Sequence, residues 1–584
     1  MEIFPTPQAI HRQPVAGWLS RLTVADALLG LVLLAAAILR LANLGHLPLS
    51  DAEATQALAV WNFWRPGTIL LGPGSPAYFS LTAGLTQLFG FGDGLMRLVP
   101  ALFGLGLVYL PWLLRHRLGT QGALVTAVLL TISPLNTITA RTAGGDSIAL
   151  FALLLLLIAF IRYQETAATR WLNTLFAALA LGFTSSPLFY SGLATLLLAW
   201  FVHSRLGLSL FVAGWHVQPT ETNWRKGTAV GVTIFVLLSS FFLLMPAGLG
   251  ASAGLAGTWF QQFGGTLTLD PLLAFGRYEP ALVLLGLIGL VWAIVRSQPL
   301  ALFAVYWFSG GLLLLLLQRG FMSNALLLTL PTALLVGMMA NAALRRRWDW
   351  FSRITAVVSF GGAFVLLVNV GRLGRAAQFN PQEGTIYLIV ILLTILFVGL
   401  VLYFAASEDG TAVAQGVLVA MLGFFIFYQW GTGWWLAQRA ANDPRERWVQ
   451  TGTNLAMRDL DDTVQTLSRQ LANSDTQLQI ATTLDVPALH WYLREYAQLE
   501  LLEALPLFPT EQVIITTADQ ESKLATGYTG TDFAIRLSEP IPSAERSTTA
   551  VYDTFRWWFF HDSTAVAPEE RAVVWVRADL VSGQ

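Results

Sequence analysis

Long apolar stretches, nearly free of charge, recur along the first three quarters of the chain. A hydrocarbon core of about 30 Å takes roughly 20 apolar residues in helical form. Segments of that kind lie near 22–44, 95–114, 122–140, 147–163, 171–187, 188–203, 228–247, 280–296, 299–317, 324–344, 354–371, 386–404 and 412–432, so the pattern predicts thirteen spans. The pair between 171 and 203 requires a very tight turn at Ser185, Ser186 and Pro187. Past residue 440 the pattern changes. Asn454 to Ala472 puts Leu455, Leu460, Val464, Leu467 and Leu471 along one face, which predicts an amphipathic helix. Strand-like runs follow at 478–482, 513–517 and 572–576, with the helix-like VPALHWYLREY between the first two. Strand, helix, strand suggests a small α/β layer. No glycine-rich phosphate loop follows any of these strands. The expected fold is a polytopic α-helical membrane domain over 1–439 and a soluble α/β domain over 440–584.

Composition agrees with that division. Of 584 residues, 55% are hydrophobic and only 12% charged, against about a quarter charged in soluble proteins. Mean hydropathy is +0.59. A net charge of -1 argues against a nucleic-acid partner. Without cysteine there is no disulfide, thiolate metal site or cysteine nucleophile. The first apolar run has no small-residue cleavage site and reads as a retained helix. Loops on the N-terminal side carry fourteen Lys and Arg between Arg12 and Arg353. The opposite loops carry seven: Arg65, Arg97, Arg141, Arg277, Arg319, Arg372 and Arg375. Positive charge stays inside, so the N-terminus is expected in the cytoplasm. An odd number of spans then puts the C-terminal domain outside a plasma membrane.

Two outer loops hold the polar residues that a helix bundle does not need. The first, about 45–94, carries Asp51 and Glu53 just past the first span. Ser50 or Asp51 can cap a helix whose Ala54, Ala57, Leu58 and Trp61 form one stripe, and a second amphipathic helix is expected over Ala77 to Phe89. Two helices lying in the interface would hold both carboxylates at the membrane surface. The plainer reading makes Asp51 a cap and Glu53 a complement to the helix dipole. The second loop is only Thr139 to Asp146. Charges so close to apolar spans need partners. Either Arg141 and Asp146 pair to close the turn, or Arg141 meets a phosphate with Asp146 beside Asp51 or Glu53. Arg319, at the outer end of the ninth span, is open to the same two readings, snorkelling or phosphate contact.

Several stretches, taken in order, resemble a known family. Asp51 and Glu53 open the first outer loop, and Ser75-Pro76-Ala77-Tyr78 stands where that family writes Pro-Pro-Leu-Tyr. Arg97-Leu98-Val99-Pro100-Ala101-Leu102-Phe103-Gly104 matches an Arg-Leu-Pro-x-Leu-x-Gly stretch. Ser133-Pro134, Arg141 and Asp146 match a Ser-Pro, Ser-Arg, Asp series, and Arg319 to Pro331 follows a later one weakly. The first 340 residues thus resemble the polytopic C-type glycosyltransferases, in the branch of the protein mannosyltransferases and aminoarabinose transferases. Trp491-Tyr492-Leu493-Arg494 and Phe555-Arg556-Trp557-Trp558 are similar to a prokaryotic branch associated with lipid-linked glycan export. One departure stands out. The family places two acids side by side before x-x-x-Ala, whereas here Ala52 sits before Glu53 and Asp51 comes one residue early. No His precedes the Pro-Pro-like stretch, and Ser75 replaces its first Pro.

The resemblance implies sugar transfer from a polyprenyl-phosphate donor to a protein, lipid or glycan acceptor at the outer face. It implies Asp51 as base, Glu53 and Asp146 as supporting carboxylates, Arg141 and Arg319 near phosphate, and Tyr78 and Arg97 near substrate. A general base contributes typically 10²–10⁴-fold, and arginines stabilise a departing phosphate. A divalent metal between the carboxylates is left open. Two rivals stand beside the enzyme: a flippase component for the lipid-linked sugar, and a catalytically impaired scaffold whose soluble domain binds a partner. Transporters tend to carry repeated halves, and no repeat is evident here. The displaced Asp51 keeps the scaffold in play.

Overall fold

A computed structural model describes residues 23–581 apart from 66–73, 207–219, 265–267, 319–320, 346, 375–383, 408–409, 447, 450, 507–508, 519–523, 525–526, 539–556, 559 and 562–565. α1 (Val24–Leu41) leads to α2 (Asp51–Phe63), α3 (Pro76–Phe89) and the single turn α4 (Asp93–Met96). The bundle continues through α5 (Leu98–Leu113), α6 (Arg115–Leu118), α7 (Thr120–Ile132), α8 (Pro134–Ala140), α9 (Asp146–Thr166), α10 (Thr169–Phe183) and α11 (Pro187–Arg205). Its second half holds α12 (Glu221–Ser239), α13 (Gly248–Gln261), α14 (Asp270–Tyr278), α15 (Pro280–Arg296), α16 (Pro299–Leu317), α17 (Thr329–Leu344), α18 (Trp350–Gly374), α19 (Gly384–Ser407) and α20 (Gly410–Trp435).

The helix starts follow local chemistry. Ser50, Ser75 and Ser133 each accept a backbone N–H of the first turn, and prolines 76, 134, 187 and 280 sit just inside a start. Two of those prolines also bend the chain, because the residue before a proline is biased away from helix. α7 meets α8 at 63°, and α14 meets α15 at 94°. Seven helices among the described residues are long and apolar enough to span a membrane, or nine if each bent pair is one span.

Each of the thirteen predicted segments contains a helix, yet among the described residues α5, α10, α12 and α19 do not pass that test. The segment expected over 228–247 stops at Ser239, because Phe241, Phe242 and Leu243 take left-handed backbone at φ 43, 52 and 73. The tight turn before Pro187 does form. α9 and α17 are enclosed by other helices. α18 and α19 leave Val357, Leu392, Ile395 and Leu396 exposed, surface that suits only lipid. The chain is a multi-pass membrane protein. α7 and α17 touch at Gly122, where an added Cβ would lie 2.7 Å from the Gly337 carbonyl oxygen, the small-residue contact typical of membrane helices.

Beyond Ala440 comes a six-stranded sheet. Its strands are β1 (Gly452–Thr453), β2 (Ile480–Thr482), β3 (Leu499–Leu501), β4 (Val513–Thr517), β5 (Tyr528–Leu537) and β6 (Glu569–Arg577), in the order β1-β5-β6-β4-β2-β3. β2 runs parallel to β3 and β4, and the other pairings are antiparallel. α21 (Ala456–Ala472) and α22 (Pro487–Tyr492) cover one face. Alternation along β4 sends Val513 and Ile515 to that face and Ile514 to the other, against Leu524 and Trp575. Of the predicted stripe, Leu460 and Val464 are buried, while Leu455 is exposed. The core does not stop at the domain boundary: Leu49, Ala54, Ala57, Tyr78 and Met96 belong to the same apolar cluster as Leu460, Trp491 and Ile515.

Candidate active site at the first loop

Ser50, not Asp51, is the N-cap of α2, and Asp51 is the first helical residue. Ser50 and Glu53 form a capping box, the Glu53 carboxylate accepting the Ser50 N–H at 3.0 Å. Glu53 is buried and also takes both sides of the Arg97 guanidinium, Nε at 2.7 Å and Nη2 at 2.6 Å. Ala143 N–H, from the short loop between α8 and α9, donates to the same carboxylate at 2.9 Å. Burial acts to raise the Glu53 pKa, but Arg97 and these hydrogen bonds outweigh it and hold the carboxyl below its ordinary value. The rest of Arg97 caps the chain between α1 and α2, donating to the carbonyls of Leu44, Leu47 and Pro48.

Arg141 closes α8 and does not pair with Asp146. Its guanidinium donates to the carbonyls of Leu39, Arg40, Ala42 and Asn43, where α1 ends. A cation at a helix C-terminus complements the dipole there. No carboxylate lies within ion-pair distance of Arg141 among the described residues, so its charge is balanced only by carbonyl dipoles. Glu53, Arg97 and Arg141 line one small cavity of about 40 Å³, together with Asn442 and Trp448 from the far end of the chain. A space of that size holds water or one small polar group.

Asp51 points elsewhere, into the C-terminal domain. Its carboxylate is 2.5 Å from Arg536 Nη2 on β5 and accepts the Ala488 N–H of α22 at 3.3 Å. Asp93, at the start of α4, receives Trp491 Nε1 at 2.8 Å, the Tyr492 hydroxyl at 2.7 Å and Arg458 Nη2 at 2.8 Å. Gln438, Asn442 and Thr453 donate to the carbonyls of Ala42, Pro48 and Leu49. The strap from Ala42 to Leu49 is thus held by arginines of the bundle on one side and by the C-terminal domain on the other. Tyr78 is fully buried, with its hydroxyl donating to the Met96 carbonyl at 2.9 Å. Asp146 opens α9 beside Ser186. Neither Tyr78 nor Asp146 lines the cavity. Arg319, Phe555 and Arg556 lie outside the described residues.

Among the described residues no group of three or more His, Asp or Glu is placed to hold a metal ion. Asp93, Arg458 and Arg536 are the site's neighbours that sequence reasoning passed over. Asp93 gave no signal beyond a loop acid, and the two arginines sat in a separate domain. Trp491 and Tyr492 stood out as a motif, but their partner did not.

The sequence profile of the family described as dolichyl-phosphate-mannose-protein mannosyltransferase matches residues 73–214. No curated protein matches the chain. Among solved structures, ArnT from Cupriavidus metallidurans in the apo state is similar over 96% of this chain and 99% of its own, with 14% identity and a TM-score of 0.57. The same protein bound to undecaprenyl phosphate gives 97% and 99%, 14% identity and a TM-score of 0.54. The chain has the fold of ArnT.

Proposed function

We propose that this protein moves a sugar from a polyprenyl-phosphate donor to an acceptor hydroxyl at the outer membrane face. One observation carries the reading: Glu53 of the first loop and the buried Arg97 and Arg141 line one cavity at an end of a bundle with the fold of ArnT, and Asp51 stands at the start of the same helix. The undecaprenyl phosphate in the ArnT structure supports a lipid-phosphate donor for this chain. Asp51 is the base. It takes the acceptor hydroxyl proton as that oxygen bonds the anomeric carbon and the bond to the lipid phosphate breaks. The proton ends on Asp51 and the electron pair on the phosphate, which leaves as polyprenyl phosphate. Arg141, unpaired with any acid among the described residues, supplies positive potential at the cavity. Arg319 is assigned to the same phosphate. Glu53 and Arg97 position this assembly, Tyr78 supports the substrate side, and Asp146 is a second supporting carboxylate. In this reading 440–584 is an extracytoplasmic domain, and it shares the end of the bundle where α1 meets α2.

The Asp51–Arg536 pair favours a second reading, in which the C-terminal domain has closed over a fold that no longer reacts. Transfer of sugar from a radiolabelled polyprenyl-phosphate donor, measured in proteoliposomes, separates the two. Asp51→Asn is expected to abolish transfer and spare donor binding, because the amide keeps the shape and cannot take the proton. Absence of transfer in the unaltered protein across donor sugars, with donor still bound, would establish the scaffold instead.

A further inference from the structure

Asp51 opens α2, yet its carboxylate is covered by the C-terminal domain. The side chain is only 17% exposed, with Arg536 Nη2 2.5 Å from Oδ2 and the Ala488 N–H donating to Oδ1 at 3.3 Å. A general base must come within hydrogen-bond reach of the hydroxyl it serves. Where an acceptor hydroxyl would stand, Asp51 meets an arginine and an amide of its own chain.

Arg536 does not belong to Asp51 alone. It lies on β5 opposite Glu570 of β6, at a register shift between Ala534 and Arg536. Irregularities of this kind re-aim a side chain. Nη1 of the same guanidinium lies 3.4 Å from Glu570 Oε2, and the Ser538 hydroxyl holds the other Glu570 oxygen at 2.5 Å. Arg536 Nε is buried and has no hydrogen-bond partner. A guanidinium binds most strongly when one carboxylate takes two of its N–H groups. Here the fork is split between two acids and one donor is unused. A turn of the side chain toward Glu570 completes a two-pronged pair there and frees Asp51. Ion pairs as exposed as these are individually weak, so the two arrangements lie close in free energy. The domain itself stays in place. Leu49, Ala54 and Ala57 share an apolar core with Leu460 and Trp491, and Asp93 holds Trp491, Tyr492 and Arg458. The moving part is one side chain.

We propose that Arg536 is an autoinhibitory latch on the first loop. Paired with Asp51 it shuts out the acceptor, and paired with Glu570 it opens the carboxylate to it. The inference rests on the reading of Asp51 as the base. It differs from a fold that has lost its chemistry, because the closed arrangement is one of two.

The test uses the full chain in proteoliposomes, with sugar transfer and carbodiimide labelling of Asp51 measured side by side and the label read by mass spectrometry. Arg536→Gln is expected to raise both about fivefold, the scale on which a half-exposed ion pair holds a group. Glu570→Gln leaves the guanidinium no second carboxylate and is expected to lower both. The double variant should match Arg536→Gln, because Glu570 acts only through the arginine. Arg571→Gln on β6, which loses pairs with Asp532 and Glu569, should change neither. Unchanged labelling in Arg536→Gln, or transfer that falls or stays level, overturns the latch. Glu570→Gln without effect removes the second position and with it the switch. Were the unaltered protein silent, transfer gained by Arg536→Gln would uphold the latch, and continued silence would overturn it. Failure of the Asp51 reading looks different: transfer survives in Asp51→Asn, whatever Arg536→Gln does.

Discussion

Glu53 and Asp51 stand two residues apart and meet opposite fates. Glu53 is buried against Arg97, Ser50 and Ala143, whereas Asp51 reaches Arg536 and the Ala488 N–H. Removing one partner of a buried ion pair leaves the other charge stranded, at a cost of about 3–5 kcal/mol. Glu53→Gln is therefore expected to lower the melting temperature at pH 7, and Asp51→Asn to leave it near the original while transfer is lost. Glu53 titrates below its ordinary range, so its contribution is full above the unfolded value and fades as pH falls through the folded one. The gap in melting temperature between the unaltered protein and Glu53→Gln should hold down to the ordinary carboxylate range, about pH 4, and narrow progressively below it. Asp461 on α21 has the opposite sign. Burial outweighs the nearby Arg494 and pushes its carboxyl up to about 6. Its contribution is present in acid and lost as pH rises through 6, so Asp461→Asn is expected to raise the melting temperature at pH 7 and change little at pH 4.

The elements owe their ends to a few local devices. Ser50 terminates the strap and starts α2, and Ser50→Ala removes the cap and one arm of the capping box, for about 1 kcal/mol. Its expected effect is a modest fall in melting temperature, smaller than that of Glu53→Gln. The contact of α7 with α17 leaves no room at Gly122, so Gly122→Leu is expected to separate the two helices and reduce the yield of folded protein. Serine followed by proline stands at the starts of α3, α8 and α11. The end of α12 was not legible, because apolar residues continue through Phe241 to Leu244 while the backbone turns left-handed. Hydropathy reports what can lie in a membrane and is blind to such a turn.

At the scale of the molecule, the C-terminal domain is docked on the first loop by Asp51 and Asp93. Asp93 alone receives three donors from that domain, so Asp93→Ala is expected to loosen the docking and raise proteolysis within 440–584 while the bundle survives. Reporters fused after Gln438 and Gln584 should both register outside the cytoplasm if the distribution of Lys and Arg sets orientation. A cytoplasmic signal from either would mean that one span is miscounted, with α10 and α12 the first to re-examine.

The sequence alone determined the apolar stretches, the change of pattern near residue 440, the amphipathic α21 and strands expected at 478–482, 513–517 and 572–576, which lie within or overlap β2, β4 and β6, because hydrophobic periodicity is written locally. It also brought forward Asp51, Glu53, Arg97 and Arg141 as charges out of place beside a membrane. Only the tertiary structure decided their partners. Arg141 meets the end of α1 and not Asp146, Glu53 meets Arg97 some 44 residues away, and Asp51 meets an arginine of the last domain. Charge pairing depends on distance in space, and the chain that brings these groups together is set by the packing of spans with no charge of their own.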